Sequence, residues 1–288
     1  MSTLVLGSGG FNNFSLLGLL VILENSGKLY KFDTLVGVSS SSIIVLLTSM
    51  GISIRDIIDL AIEHNFFMDF HNFSLEILLA SNSPISLEPI RNVVRKLLMD
   101  RFGKIPTFYE FYKITHKSPV FITWNNTLYQ QEILSPSTTP HLSVLEGLFF
   151  SMNIPFLFYK VIYHNQHYLD GTLANPYPVL PFDKDEKDIL GCYIHTKPRL
   201  INNFNGYMSQ IFHAFLENRY LDILQHCSQK VHHLDIYIKD TSNIEQRLDK
   251  IAYLLNTGYQ IGYSYIFEQK VKNILPRLEY NYLEPYSP

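Results

Sequence analysis

The chain has 288 residues, of which 47% are hydrophobic and 17% charged, with a formal net charge of −3. This length can bury a sizeable core as one large α/β domain or two small ones, and the slightly acidic balance excludes a general attraction to nucleic acid. The two cysteines, Cys192 and Cys227, exclude a disulfide framework and fit a reducing compartment.

The N-terminal Met1-Ser2-Thr3-Leu4-Val5-Leu6-Gly7 has no basic leader region and enters a strand over Leu4–Leu6, so it does not read as a signal peptide. The turn Gly7-Ser8-Gly9-Gly10 follows, then an apolar helix through Leu16–Leu23 that stops near Gly27. The apolar stretch Phe14–Leu23 is about half the ~20 residues that a transmembrane helix needs. Together these features predict a cytoplasmic protein. A second strand over Thr34–Val38 feeds a helix over Ser40–Met50, and a strand–helix–strand–helix opening predicts a parallel sheet of the doubly wound class.

Further helices are predicted at Ile54–Glu63 behind Ser53, at Ser86–Phe102 with Pro89 in the first turn, and from Thr107, where Thr107-Phe108-Tyr109-Glu110 has the capping-box form. Arg91, Arg95, Lys96 and Arg101 fall at helical spacing and predict a solvated face. Val120–Thr123 reads as a strand, His141–Asn153 as a helix ending before Pro155, and residues 159–169 as a β-hairpin turning at His164-Asn165-Gln166. Past Asp170-Gly171 come a charged loop over Asp183–Asp188, a strand over Ile189–His195 and a helix near Gln210–Gln225. A strand over Val231–Ile238 and a mostly helical segment from Ile244 to about Ile274 complete the pattern. Phe66-Phe67-Met68-Asp69-Phe70 and Phe149-Phe150 predict an aromatic core, some of which could line an acyl pocket or meet a lipid interface.

The most informative stretch is Leu35-Val36-Gly37-Val38-Ser39-Ser40-Ser41-Ser42, running directly into an apolar helix. Strand, small-residue turn and helix form a nucleophile elbow, in which Gly-x-Ser-x-Gly is met by Gly37-Val38-Ser39-Ser40-Ser41 with serine in place of the last glycine. Serines also cap helices well, so the run alone leaves both readings open. A serine nucleophile needs a base and donors for the oxyanion. The turn at Gly7–Gly10 falls on the same carboxyl edge of the sheet, where the N–H groups of Gly9 and Gly10 could supply donors. The alternative for that turn is phosphate binding, against which Asn12 stands where the third glycine of a dinucleotide fingerprint belongs. Asp170, at the end of an apolar strand and before Gly171, is the candidate base, although a turn aspartate is also common. None of the 11 histidines lies in a zinc-binding pattern, so no metal is predicted.

Three blocks carry a resemblance: Leu4–Asn13 with Gly18, Phe32–Ser41, and Phe150–Phe156 followed by Tyr168–Pro176. In this order and at this spacing the chain resembles the patatin-like phospholipases. The resemblance implies an α/β fold with a mostly parallel central sheet flanked by helices and a nucleophile elbow. It implies an acyl hydrolase core over 3–185, with residues 186–288 completing the same domain as strands and helices. It implies Ser39 as nucleophile, Asp170 as base, and Gly9, Gly10 and Phe11 as the oxyanion hole, with Gly37, Ser41 and Gly171 shaping the turns. No cofactor, metal or nucleic acid is implied; the implied partners are a phospholipid or other acyl-lipid substrate and, transiently, a membrane surface. Asn12 and Asn13 stand where the family has arginine then glycine, which removes a positive charge beside the hole, and Ser41 adds a side chain where the elbow is tight. Thr172 replaces a small residue. Two other readings remain: a fold kept for binding lipid or a partner, and a Ser–Asp–His hydrolase using His195 or His232.

Overall fold

A computed structural model describes residues 2–68, 85–155, 157–183, 188–196, 204–239, 241 and 244–281. The chain opens with β1 (Ser2–Leu6), a 3-10 turn (Gly10–Asn12), α1 (Asn13–Asn25), β2 (Phe32–Val38), α2 (Ser41–Ser49) and α3 (Ile54–Glu63). Next come α4 (Glu88–Phe102), α5 (Phe108–Thr115), β3 (Ser118–Asn125), β4 (Gln130–Leu134) and α6 (Val144–Ser151). The hairpin β5 (Val161–Tyr163) and β6 (Gln166–Asp170) precedes β7 (Ile189–Thr196), α7 (Phe204–His226), β8 (Val231–Ile238) and α8 (Arg247–Asn281).

The eight strands form one sheet in the order β5-β6-β3-β2-β1-β7-β8, with β4 also paired to β3. β3, β2, β1, β7 and β8 run parallel, while β4, β5 and β6 join antiparallel. Apolar residues fill both faces of the parallel strands, as crossover helices on both sides require. Leu4, Leu6, Leu35 and Phe121 enter one core, and Val5, Val36, Val38, Val120 and Ile122 enter the other. The fold is therefore α/β with a mostly parallel sheet between helical layers.

The register sets up the site. β2 ends with Val38 opposite Ile122, and β6 ends with Asp170 opposite Thr123, the next residue of β3. Residues far apart in the chain thus finish at adjacent positions of one strand. On the other core, α1 is buried along its length and lies against α8. A Cβ on Gly18 would collide with the Leu255 carbonyl oxygen, and one on Gly258 with the Ser15 carbonyl oxygen, so glycine allows the two helix backbones to touch.

The structure shifts several predicted boundaries. The predicted helix over His141–Asn153 starts only at Val144, where Ser143 accepts the Leu145 and Glu146 N–H groups and caps it. α1 starts at Asn13, three residues before Leu16, and α8 starts at Arg247 rather than Ile244. Arg91 does not lie on a solvated face: its guanidinium turns inward, pairs with Glu146 and lies 5.1 Å from the centre of the Phe149 ring. Phe66, Phe67, Phe149 and Phe150 are core residues as expected. Asp69, Phe70, Phe156 and residues 184–187 of the charged loop lie outside the described residues. The capping box of Thr107 and Glu110 is present.

Candidate active site

Ser39 sits between β2 and α2 with φ of 59°, a left-handed conformation that costs a residue with a Cβ about 1–2 kcal/mol. Its neighbours hold it there. Ser151, from the end of α6, accepts the Ser39 N–H through Oγ (3.2 Å), lies 3.0 Å from Ser42 Oγ and donates to the Ile122 carbonyl (2.6 Å). A Cβ on Gly37 would stand 2.7 Å from the Ser42 Cα, so only glycine lets α2 leave the sheet this closely.

Ser41 does not crowd the elbow. Its side chain is fully buried, accepts the Val38 N–H at 2.9 Å and lies 3.1 and 2.8 Å from the Leu6 and Val38 carbonyl oxygens. The hydroxyl thus joins the ends of β1 and β2, a task the absent glycine could not perform. Asn13 makes a second tie: its Nδ2 donates to Ser40 Oγ at 2.9 Å, linking the glycine loop to the elbow. A Cβ on Gly9 would strike the Asn13 side chain. Gly10, with φ of 53°, opens the 3-10 turn, so the N–H groups of Gly10 and Phe11 have no acceptor within that turn.

Asp170 is 1% exposed. Its N–H donates to the Asn153 carbonyl (2.8 Å), and its Oδ1 accepts the Thr172 N–H (2.8 Å). Among the described residues the buried Oδ2 makes no hydrogen bond, while the Ser39 hydroxyl lies near enough to favour the charged carboxylate. Burial outweighs that help from Ser39 and Thr172 and pushes the Asp170 carboxyl up to about 6. Gly171 has no room for a side chain, because a Cβ there would strike the Ile122 carbonyl oxygen.

Ser39, Asp170, Gly9 and Gly10 line one cleft of about 540 Å³. Ile154, Leu157, Leu173, Phe212 and Leu216 make much of it apolar, and Thr196, His213 and Glu217 form a polar stretch. A second, narrow cavity of about 30 Å³ meets Ser39 beside Phe66, Met68, Ile90 and Met152. The site therefore combines a buried turn hydroxyl at the cleft, a buried carboxyl group shifted toward neutrality, and N–H groups of the glycine turn that have no acceptor within that turn. These are the parts that acyl transfer needs.

Neither predicted histidine is a partner of Asp170. His195 lies between Glu217 (3.1 Å) and Asp235 (3.0 Å); burial lowers its pKa, but these carboxylates outweigh burial and hold it above the ordinary value. His232 is exposed on β8. Sequence reasoning assigned no role to Ser151, Asn153 or the Thr196–His213–Glu217 wall, and only the segment containing the first two had drawn notice.

The sequence matches the family model of patatin-like phospholipases over residues 4–183. A Probable lipid hydrolase of Invertebrate iridescent virus 6 is 28% identical over 62% of this chain and 61% of its own length. An uncharacterized protein of Acanthamoeba polyphaga mimivirus is 26% identical over 90% of this chain and 91% of its own. Among solved structures, VipD from Legionella pneumophila aligns with a TM-score of 0.57 at 15% identity, covering 91% of this chain and 66% of VipD. The type III effector ExoU of Pseudomonas aeruginosa aligns at 0.51 and 14% identity, covering 93% of this chain and 53% of ExoU. The chain thus spans less than two thirds of the viral lipid hydrolase and of both bacterial proteins. A family match over more than half of the chain, on a shared fold with an elbow at Ser39, places this protein in the patatin-like phospholipase family.

Proposed function

We propose that the protein is a lipid acyl hydrolase of phospholipase A type, using Ser39 and Asp170 as a dyad through an acyl-enzyme. The observation that carries this reading is the pairing of a left-handed Ser39 with a buried Asp170 whose Oδ2 makes no hydrogen bond among the described residues and whose carboxyl is raised to about 6. A base with a pKa near the working pH both takes and returns a proton well. Asp170 takes the proton of Ser39 Oγ as that oxygen attacks the ester carbonyl, and the N–H groups of Gly9, Gly10 and Phe11 hold the oxyanion. Asp170 then protonates the departing alcohol; water attacks acyl-Ser39, giving its proton to Asp170, which returns it to Ser39 Oγ as the fatty acid leaves. Gly37, Ser41 and Gly171 hold the turns.

The apolar cleft at Ser39 supports a long-chain acyl substrate such as a phospholipid, reached by transient attachment to a membrane surface. Among the described residues no helix is long and apolar enough to cross a membrane. β7 and β8 extend the sheet of the first 183 residues, which supports a single domain built from 3–185 and completed by 186–288.

The deciding experiment measures fatty-acid release from mixed phospholipid vesicles in EDTA, for the native protein and for Ser39→Ala. Ser39→Ala should lower the rate by on the order of 10⁴-fold or more, as loss of a serine nucleophile does elsewhere. Release that persists in Ser39→Ala, or none from the folded native protein across several lipids, would sink the proposal.

A further inference from the structure

α7 changes character halfway along its outer side. From Phe204 to Leu216 the helix carries no Asp, Glu, Lys or Arg. Tyr207 is 61% exposed, and Ile211, Phe212 and Phe215 are each 46% exposed. Tyr207, Ile211 and Phe215 lie four residues apart, so they share one stripe, and that stripe faces outward. The inward side is accounted for: His213 bonds Thr196, Glu217 bonds His195, and Tyr220 and Ile223 pack into the core. A helix whose outer side meets water places polar and charged groups there. The second half of α7 does so, with Asn218 exposed and Asp222 paired to Arg219. The first half puts three large apolar side chains there instead.

We propose that the outer side of α7 over Tyr207–Phe215 is the surface by which the protein rests on a lipid bilayer, with these side chains entering the bilayer interface. The choice of lipid as occupant rests on the acyl-hydrolase reading above and on where the stripe leads. Phe212 belongs both to the exposed face and to the wall of the cleft, and Leu216, one turn on, lines the same cleft as Ser39 and Asp170. An acyl chain leaving a bilayer beneath α7 therefore passes onto Phe212 and Leu216 without crossing open water. Tyr207 suits the same surface, because its ring is apolar and its hydroxyl stays at the level of the head groups. With no charged side chain over Phe204–Leu216, attachment here is by apolar insertion and needs neither anionic lipid nor low salt.

The test uses the full chain and vesicles of pure phosphatidylcholine, which carry no net charge. Native protein should float with the vesicles in roughly 0.1 M and 1 M salt alike. The double variant Ile211→Glu/Phe215→Glu should bind at least about tenfold more weakly, since two apolar side chains no longer enter the interface. Fatty-acid release from the vesicles should fall in parallel, while kcat/KM on p-nitrophenyl butyrate, a soluble ester, stays within about twofold. Trp124 is the only tryptophan, so Phe215→Trp in a Trp124→Phe background reports the contact directly and carries the test if the double variant fails to fold. Its fluorescence should be quenched by vesicles of brominated lipid. No flotation of the native protein, binding that high salt removes, binding unchanged in the double variant, or an unquenched Phe215→Trp overturns the proposal. A native dimer that the double variant splits without loss of vesicle binding gives the face to a second copy, and overturns it too. A protein that floats through this face yet cleaves neither lipid nor soluble ester upholds the docking surface and overturns the Ser39–Asp170 reading.

Discussion

The two walls of the cleft are built in different ways. The wall that carries Ser39 and Asp170 is a backbone construction: strand ends in register on β3, glycines with no space for a Cβ, and serine hydroxyls bonded to main-chain groups. The other wall, from β7 and α7 and backed by β8, is a side-chain construction. There His195 bridges Glu217 and Asp235 and stacks on Tyr237 at 4.5 Å, while Thr196 bonds His213 at 2.9 Å. Backbone contacts admit one solution and fail abruptly, whereas partly exposed side-chain networks lose one member at modest cost. The first wall suits chemistry with a fixed geometry; the second suits a surface that changes with the substrate.

The sharpest way to break this contrast is Gly171→Ala. The added methyl group must displace the Ile122 carbonyl at the point where β2 and β6 meet β3. A loss of about 3 kcal/mol in urea unfolding is expected, with activity gone. A loss below about 1 kcal/mol would show that the backbone wall yields more than its contacts imply.

Asp170→Asn should abolish turnover and yet stabilise the protein. The native carboxyl titrates near 6 against an ordinary value of 3.8, so between those pH values the folded state holds a proton that the unfolded state has released. Stability therefore falls as pH rises through that window, and above it the buried charge costs on the order of 2–3 kcal/mol, which Asp170→Asn avoids. Melting curves of the two proteins should coincide near pH 3.5 and separate by pH 8, with Asp170→Asn the more stable. The kcat of the native protein should fall on the acid side of about pH 6 as the proposed base becomes protonated. An activity flat from pH 5 to pH 8 would remove Asp170 from the base role.

The smallest effect belongs to the other wall. His195→Asn should cost under about 1 kcal/mol, since both carboxylate partners are partly exposed. The His195 pKa is raised in the folded protein, so its contribution is present at low pH and fades as pH rises through that raised value. Denaturation at pH 6 and pH 9 should therefore show a larger deficit at pH 6, with kcat largely kept. A collapse of activity would reveal that wall to be as exacting as the first.

How much of this was legible in the sequence follows the same division. Ser39, the glycine turn and Asp170-Gly171 are local patterns, because strand, turn and helix must succeed each other within a few residues to make an elbow. The partner of the Ser39 N–H lies 112 residues away, on Ser151, and no spacing rule reaches it. Strand β4 escaped because Gln130-Gln131-Glu132 is polar and pairs only along β3, without an apolar face to show a period of two. Ser41 read as a crowded substitute for glycine because a residue type gives its volume but not the carbonyl its hydroxyl will find. The solvated face expected at Arg91 failed for a related reason: helical spacing cannot tell that Glu146 waits on α6, 55 residues further along the chain.

The contact between α1 and α8 bears on how the chain acquires its shape. The first helix, apolar on nearly every side, is covered by a helix that begins at Arg247, some of the longest sequence separation the molecule contains. Such non-local closure is slow, since the intervening chain must be ordered before the contact rewards it. A nascent chain therefore holds this apolar helix uncovered until the helix from Arg247 has been made, and the loop at Phe11 meets Lys250 only with that docking step. On this architecture the surroundings of the glycine loop are completed by the closing of the fold rather than by the assembly of the sheet.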